Sequence, residues 1–170
     1  MDRVWHTRWL LGAASASLIL IGGTALADLA GPPRILDGDT LEVAARRVRL
    51  FGVDAPELDQ LCQRGGHDYY CGRVARAALW DLVGGADVSC APEGATPAHD
   101  GVILATCSAG GVSLNEGMVR SGWALADPHA ADRYLALQAD AEQARRGLWR
   151  GEFEPPWQWR DAPAAGDPDG

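Results

Sequence analysis

Arg34-Ile-Leu-Asp-Gly-Asp-Thr-Leu-Glu-Val43 and Arg47-Val-Arg-Leu-Phe-Gly-Val-Asp-Ala-Pro-Glu57 are two short runs of alternating apolar and polar residues separated by Ala44-Ala45-Arg46. Alternation with period two is the mark of a half-buried strand, so Arg47, Arg49 and Phe51 share one face and Val48 and Leu50 the other. The pair predicts a hairpin turning near Ala44-Ala45, with Asp37-Gly-Asp39 as a polar turn or bulge at its entrance. Alone, Asp-Gly is a common turn former. Here it is followed by an Arg on a strand and by two carboxylates, Asp54 and Glu57, flanking Ala-Pro at a strand end. Hard divalent cations require oxygen ligands at short range, which a hairpin folding these segments side by side would supply. Phosphodiester cleavage calls for a Lewis acid, a base for water and guanidinium groups for the developing charge. One segment holds candidates for all three roles.

Outward from this stretch, the chain reads as one domain with appendages, since 170 residues suffice for one good core but not for two comfortable ones. Arg3 and Arg8 precede an uncharged run from Trp9 to Ala27, and Ala25-Leu-Ala27 is a small-x-small cleavage signature. Residues 1–27 are therefore expected to be a cleaved signal peptide and the protein to be secreted or periplasmic, with no stable membrane anchor. The four cysteines suit an oxidising compartment. Cys62 and Cys71 bracket a Gly-rich loop, and Cys90 and Cys107 lie in two apolar segments read as neighbouring strands, so Cys62–Cys71 and Cys90–Cys107 are the expected bridges. No Cys-x-x-Cys occurs, which argues against zinc.

Without Asp2, Arg3 and Arg8 the balance is 13 basic to 22 acidic residues, and every basic residue is Arg. Phosphate contacts supply most of the affinity of nucleic-acid binders, so an acidic chain has weak non-specific grip and depends on a local Arg cluster or a metal to set the field at a site.

Downstream, residues 72–83 predict a helix with Val74, Ala78, Leu79 and Leu82 inward and Gly84-Gly85 as its stop. Residues 86–91 and 102–108 predict paired strands. Ser113-Leu-Asn-Glu116 is a capping box opening a helix that ends at Gly122. Residues 123–126 predict a further strand, and residues 132–146 a helix with Tyr134, Leu137, Ala141 and Ala144 inward. Trp157 and Trp159 are expected to clamp the C-terminal segment, and residues 161–170, made of Ala, Pro, Asp and Gly, to form a disordered tail. Strands before and between separated helices predict an α+β, mainly β, fold in a domain spanning residues 28–160.

The pattern Asp37-Gly-Asp-Thr40 then Arg49-Leu-Phe-Gly-Val-Asp-Ala-Pro-Glu57 resembles the thermonuclease (staphylococcal nuclease-like) family. The likeness continues through Gly110-Gly-Val-Ser-Leu-Asn115, Met118-Val-Arg-Ser-Gly-Trp-Ala124, Ala144-Arg-Arg-Gly-Leu-Trp149 and Pro155-Pro-Trp-Gln-Trp159. The resemblance implies a five-stranded OB-type β-barrel with three packed helices, and cysteines placed like these four recur in exported relatives. It implies Ca2+ held by Asp39, Asp54 and the backbone carbonyl of Ala55, with Asp37 in a supporting position. Glu57 is then the general base and Arg49 the phosphate clamp. The implied activity is that of a calcium-dependent endonuclease, a phosphodiester hydrolase acting on single-stranded or frayed DNA or RNA; no protein partner is implied, and a monomer is expected.

One position departs from the pattern. The family's second phosphate-binding Arg aligns with Val102, and no Arg lies between Arg76 and Arg120. An Arg in such a role is worth on the order of 10³–10⁵ in rate. Arg47, on the face of Arg49, and His99 are the nearby candidates to replace it. The alternative expectation is an OB-fold module, impaired in catalysis, that binds nucleic acid or an acidic oligosaccharide in the cell envelope.

Overall fold

The computed structural model describes residues 29–94, 101–127 and 132–162. The signal segment, His99 and the tail beyond Ala162 lie outside the described residues.

The anticipated hairpin is formed by β3 (Thr40–Val43) and β4 (Arg46–Leu50), antiparallel with Val43 opposite Arg46. Ala44 and Ala45 both take positive φ, 50° and 59°, the twist a two-residue hairpin turn requires. Around it lie β1 (Leu29–Gly31), β2 (Arg34–Ile35), β8 (Val88–Pro92) and β9 (Ile103–Ala109), in the order β1-β8-β9-β4-β3-β2. The β4–β9 pair is parallel and the other neighbours antiparallel. β10 (Val112–Ser113) adds to β9. Two pairs stand apart: β5 (Val53–Asp54) with β11 (Leu125–Ala126), and β6 (Leu61–Arg64) with β7 (His67–Tyr70). The result is a mainly β, α+β domain of OB-like character, curled around its core.

The core joins Leu41, Val43, Val48 and Leu50 of the hairpin to Ile103, Ala105 and Cys107 of β9, and is covered by three helices. In α1 (Cys71–Val83) the inward residues are Ala75, Leu79 and Val83, with Ala78 and Leu82 packed beside them. Val74, expected inward, is 37% exposed; the stripe runs at four-residue spacing from Cys71 and leaves Val74 on its flank. α2 (Leu114–Ser121) is capped by Ser113, whose Oγ accepts the Glu116 N–H at 3.2 Å, and closed by Gly122. The helix expected over 132–146 divides into a 3₁₀ turn (Asp132–Tyr134) and α3 (Leu135–Gln143). Tyr134 and Ala141 are buried as expected. Ala144 is exposed because the helix has ended and Arg145 turns to φ 49°. A further 3₁₀ turn (Gly147–Arg150) leads to a fourth, short helix, α4 (Pro156–Asp161), which begins on Pro156 and extends one residue into the segment read as tail.

Both expected disulfides form. Cys90 and Cys107 are direct cross-strand neighbours on β8 and β9, and Cys62 and Cys71 join β6 to the start of α1. The second bridge sits in a small core of its own with Leu125 and Leu148, against which Trp123, Trp149, Phe153 and Trp157 pack. This satellite cluster anchors the C-terminal segment. Trp157 belongs to it; Trp159, expected to share the clamp, is half-buried outside it.

Candidate active site

Asp37, Asp39, Arg49, Ala55 and Glu57 all border one cleft of about 560 Å³ at the open end of the hairpin. Asp37 shapes it through the backbone: its Oδ1 accepts the N–H groups of Asp39 (3.0 Å) and Thr40 (2.6 Å), fixing the turn that presents Asp39. Its supporting position is thus that of a turn former. Gly38 lets this turn press against its neighbours, since a Cβ there would lie 2.7 Å from the Ala55 Cβ and 2.8 Å from the Ala75 Cβ. Asp39 is buried. Its Oδ1 accepts from the Thr40 hydroxyl at 2.7 Å and its Oδ2 from the Ala55 N–H at 3.0 Å.

Arg49 extends from β4 with its Nη2 between two buried carboxylates, 2.8 Å from Asp54 Oδ1 and 3.4 Å from Asp39 Oδ2. Burial, which strips water from its charged form, pushes the Asp39 carboxyl up to about 7 despite the opposing pull of Arg49. Burial works against the charge on Arg49, but Asp39 and then Asp54 outweigh it and raise its pKa.

Glu57 stands on the loop after β5, one-third exposed toward the cleft. Its main chain is fixed on two sides. The start of α1 presses so close that a Cβ on Gly72 would lie 1.8 Å from the Glu57 carbonyl oxygen. Gln60, fully buried, accepts the Glu57 N–H through Oε1 (3.3 Å) and donates through Nε2 to the Glu154 carbonyl (2.8 Å). That bridge ties the Glu57 loop to the C-terminal segment.

Arg160, from α4, completes the group. Its Nη1 donates to Asp54 Oδ1 and to Glu57 Oε1, both at 2.9 Å, and its Nη2 to Asp54 Oδ2 at 2.7 Å. Hydrogen bonding to Asp54 leads the causes that raise its pKa. Sequence reasoning did not reach this residue. The signal was Trp157 and Arg160, three apart after a helix-starting Pro, which places the anchor and the guanidinium on one face.

The donor set can be tested for a divalent ion. Each carboxylate oxygen offers about two lone-pair directions. Asp39 Oδ1 and Asp54 Oδ2 each accept one hydrogen bond and keep one direction free. Two buried, oxygen-only ligands already sharing one cation, one of them with a carboxyl raised by desolvation, suit a hard ion such as Ca2+. Among the described residues no set of three or more His, Cys, Asp or Glu side chains converges, so main-chain oxygen or water must complete the shell.

Val102 lines the cleft just before β9, as the alignment of that strand requires, and brings no charge. Arg34, Arg47 and Arg76 line the same cleft. Arg34 is paired to Glu42; Arg47 was anticipated, and Arg76, on the outer face of α1, was not.

The Staphylococcal nuclease homologue family model matches residues 47–151, from the second strand of the hairpin to the last 3₁₀ turn. The chain belongs to the staphylococcal nuclease family. Among relatives of this nuclease-like chain, the succinoglycan biosynthesis protein ExoI of Rhizobium meliloti (strain 1021) is 34% identical over 148 residues, covering 85% of this chain and 77% of that one. An uncharacterized endonuclease of Escherichia coli is 35% identical over 134 residues, 75% and 81% of the two chains. A micrococcal nuclease of Shigella flexneri is 32% identical over 174 residues, covering 90% and 92%. Nuclease-like hydrolytic chemistry on nucleic acid is the function these relationships support.

Proposed function

We propose that this protein is a calcium-dependent phosphodiesterase acting on single-stranded or frayed nucleic acid, exported by residues 1–27 into a compartment where its two disulfides persist. The observation that carries the reading is the placement of Glu57 and Arg49 in one cleft, joined through Asp54 and Arg160. Arg49 receives the non-bridging oxygens of the scissile phosphate. Glu57 takes a proton from the attacking water as the water oxygen bonds phosphorus, the ester P–O bond breaks, and the departing ester oxygen takes a proton from solvent. Asp39, Asp54 and the Ala55 carbonyl would hold Ca2+, which when bound supplies a Lewis acid for the phosphoryl oxygen. With Val102 in place of a second clamp the turnover is slow.

A second reading draws on Val102 and on the name of the relative in succinoglycan biosynthesis: a binding module for nucleic acid or an acidic oligosaccharide, without turnover. Purified mature protein, incubated with single-stranded DNA and either calcium or a chelator, separates the two. Calcium-dependent fragmentation supports the phosphodiesterase; retention of the strand with no fragments favours the binding module.

A further inference from the structure

The Arg160 guanidinium has five N–H donors. Three are engaged: the end-on pair grips Asp54, and the outer Nη1–H meets Glu57. The remaining two, Nε–H and the outer Nη2–H, are parallel and meet no acceptor among the described residues. The side chain is 33% exposed, and no described residue takes up this second fork. A parallel N–H pair matches two oxygens of a phosphate. The fork lies on the edge of the guanidinium opposite Glu57, and Arg160 does not itself line the cleft, so a phosphate on the fork would neighbour one at Arg49 rather than take its place. Arg49 and Arg160 both donate to Asp54 Oδ1, which sets the two guanidiniums within two hydrogen-bond lengths of each other through one oxygen. The Gln60 bridge and the Trp157 anchor hold α4 in this place.

We propose that the free Nε–Nη2 fork of Arg160 is a second phosphate subsite, binding the phosphodiester next to the scissile one on a single strand. This rests on the phosphodiesterase reading for the direction of the strand, and it accounts for grip on an acidic chain. A strand held at Arg49 and Arg160 is held at two successive phosphates, so a dinucleotide with one phosphodiester gains nothing from α4 while a trinucleotide gains from both.

The test measures affinity for thymidine di- and trinucleotides in chelator, where binding is read without turnover, for the natural protein, Arg160→Gln, Arg160→Lys and the remote control Arg120→Gln. The natural protein and the control gain about tenfold from the second phosphodiester. Arg160→Gln gains none from the second phosphodiester, whatever its dinucleotide affinity, and its log–log salt slope for the trinucleotide falls by about 0.7. Arg160→Lys, which keeps the charge but lacks the fork, recovers only part of the gain; if Arg160→Gln does not fold, this variant decides on the same criterion. A full gain in Arg160→Gln or Arg160→Lys, equal losses on both ligands, or no gain in the natural protein would overturn the subsite. A natural protein that shows the Arg160-dependent gain yet never cuts DNA in calcium sinks the phosphodiesterase reading and leaves the subsite standing.

Discussion

Arg160 reaches across 106 residues of sequence to place Nη1 and Nη2 on the two oxygens of Asp54, at 2.9 and 2.7 Å. Asp54 is buried, and an unpartnered buried carboxylate is costly. With Arg49 on the same residue, the site's inner wall is a carboxylate held from two sides by guanidiniums supplied by different parts of the fold. Arg160→Ala is expected to lower stability by about 1–3 kcal/mol, less than for a fully buried pair because the Arg is partly exposed. Chemical denaturation of the two proteins checks this.

Gln60 is the quieter half of the same connection. Replacing it with Leu leaves the Glu57 N–H and the Glu154 carbonyl without their side-chain partner, at a cost of about 1–3 kcal/mol. The larger expected effect is on rate, because both Glu57 and α4 lose their tether: kcat on single-stranded DNA falls while thermal unfolding stays cooperative.

The two disulfides are predicted to differ in consequence. Each double Ser variant loses about 2–4 kcal/mol. Loss of Cys62–Cys71, within the cluster that anchors Trp157, also weakens strand binding at temperatures where the protein is folded. Loss of Cys90–Cys107, between β8 and β9, lowers the unfolding temperature alone. Comparing oligonucleotide affinity with unfolding temperature in both variants tests the distinction.

The hairpin and most of the cleft were legible because they are local. Strand period fixed the faces of Val48 and Arg49, the turn residues sat where the strands stopped, and Asp37 to Glu57 are close in sequence as in space. What escaped was non-local or depended on small shifts of phase. Arg160 meets Asp54 across 106 residues, and its three-residue spacing from Trp157 gives the helix face it shares but not the partner it meets. Helix α1 turns Ala75 rather than Val74 inward, because a stripe of Ala and Val does not discriminate one phase from the next. α3 stops at Gln143, where Arg145 enters a left-handed conformation, so Ala144 never joins the helical face. Val102 and Arg76 both line the cleft, and Arg76 lies on a helix face whose sequence signal is carried by its apolar residues alone.

In the cation-free protein Asp39 binds its proton more tightly folded than unfolded, its pKa rising from 3.8 to about 7. Between those values the folded state holds more protons, so this carboxyl makes stability fall as pH rises through the window. Asp39→Asn should flatten that part of the profile, and denaturation in chelator from pH 4 to 8 measures it. A profile unchanged by the substitution would show that Asp39 is not the buried acid described.

Val102→Arg restores a guanidinium to the cleft wall. The expected result is a gain in single-turnover cleavage approaching about 10³-fold, the lower end of what a second Arg contributes, with little change in stability at this half-buried rim.

Most direct is the single-turnover cleavage of an end-labelled single-stranded oligonucleotide in calcium by the natural protein and by Glu57→Gln, with binding affinity measured alongside. The phosphodiesterase account predicts a rate lowered about 10²–10⁴-fold with affinity nearly preserved. Equal rates in the two proteins, or no cleavage by the natural protein at any calcium concentration, would contradict it.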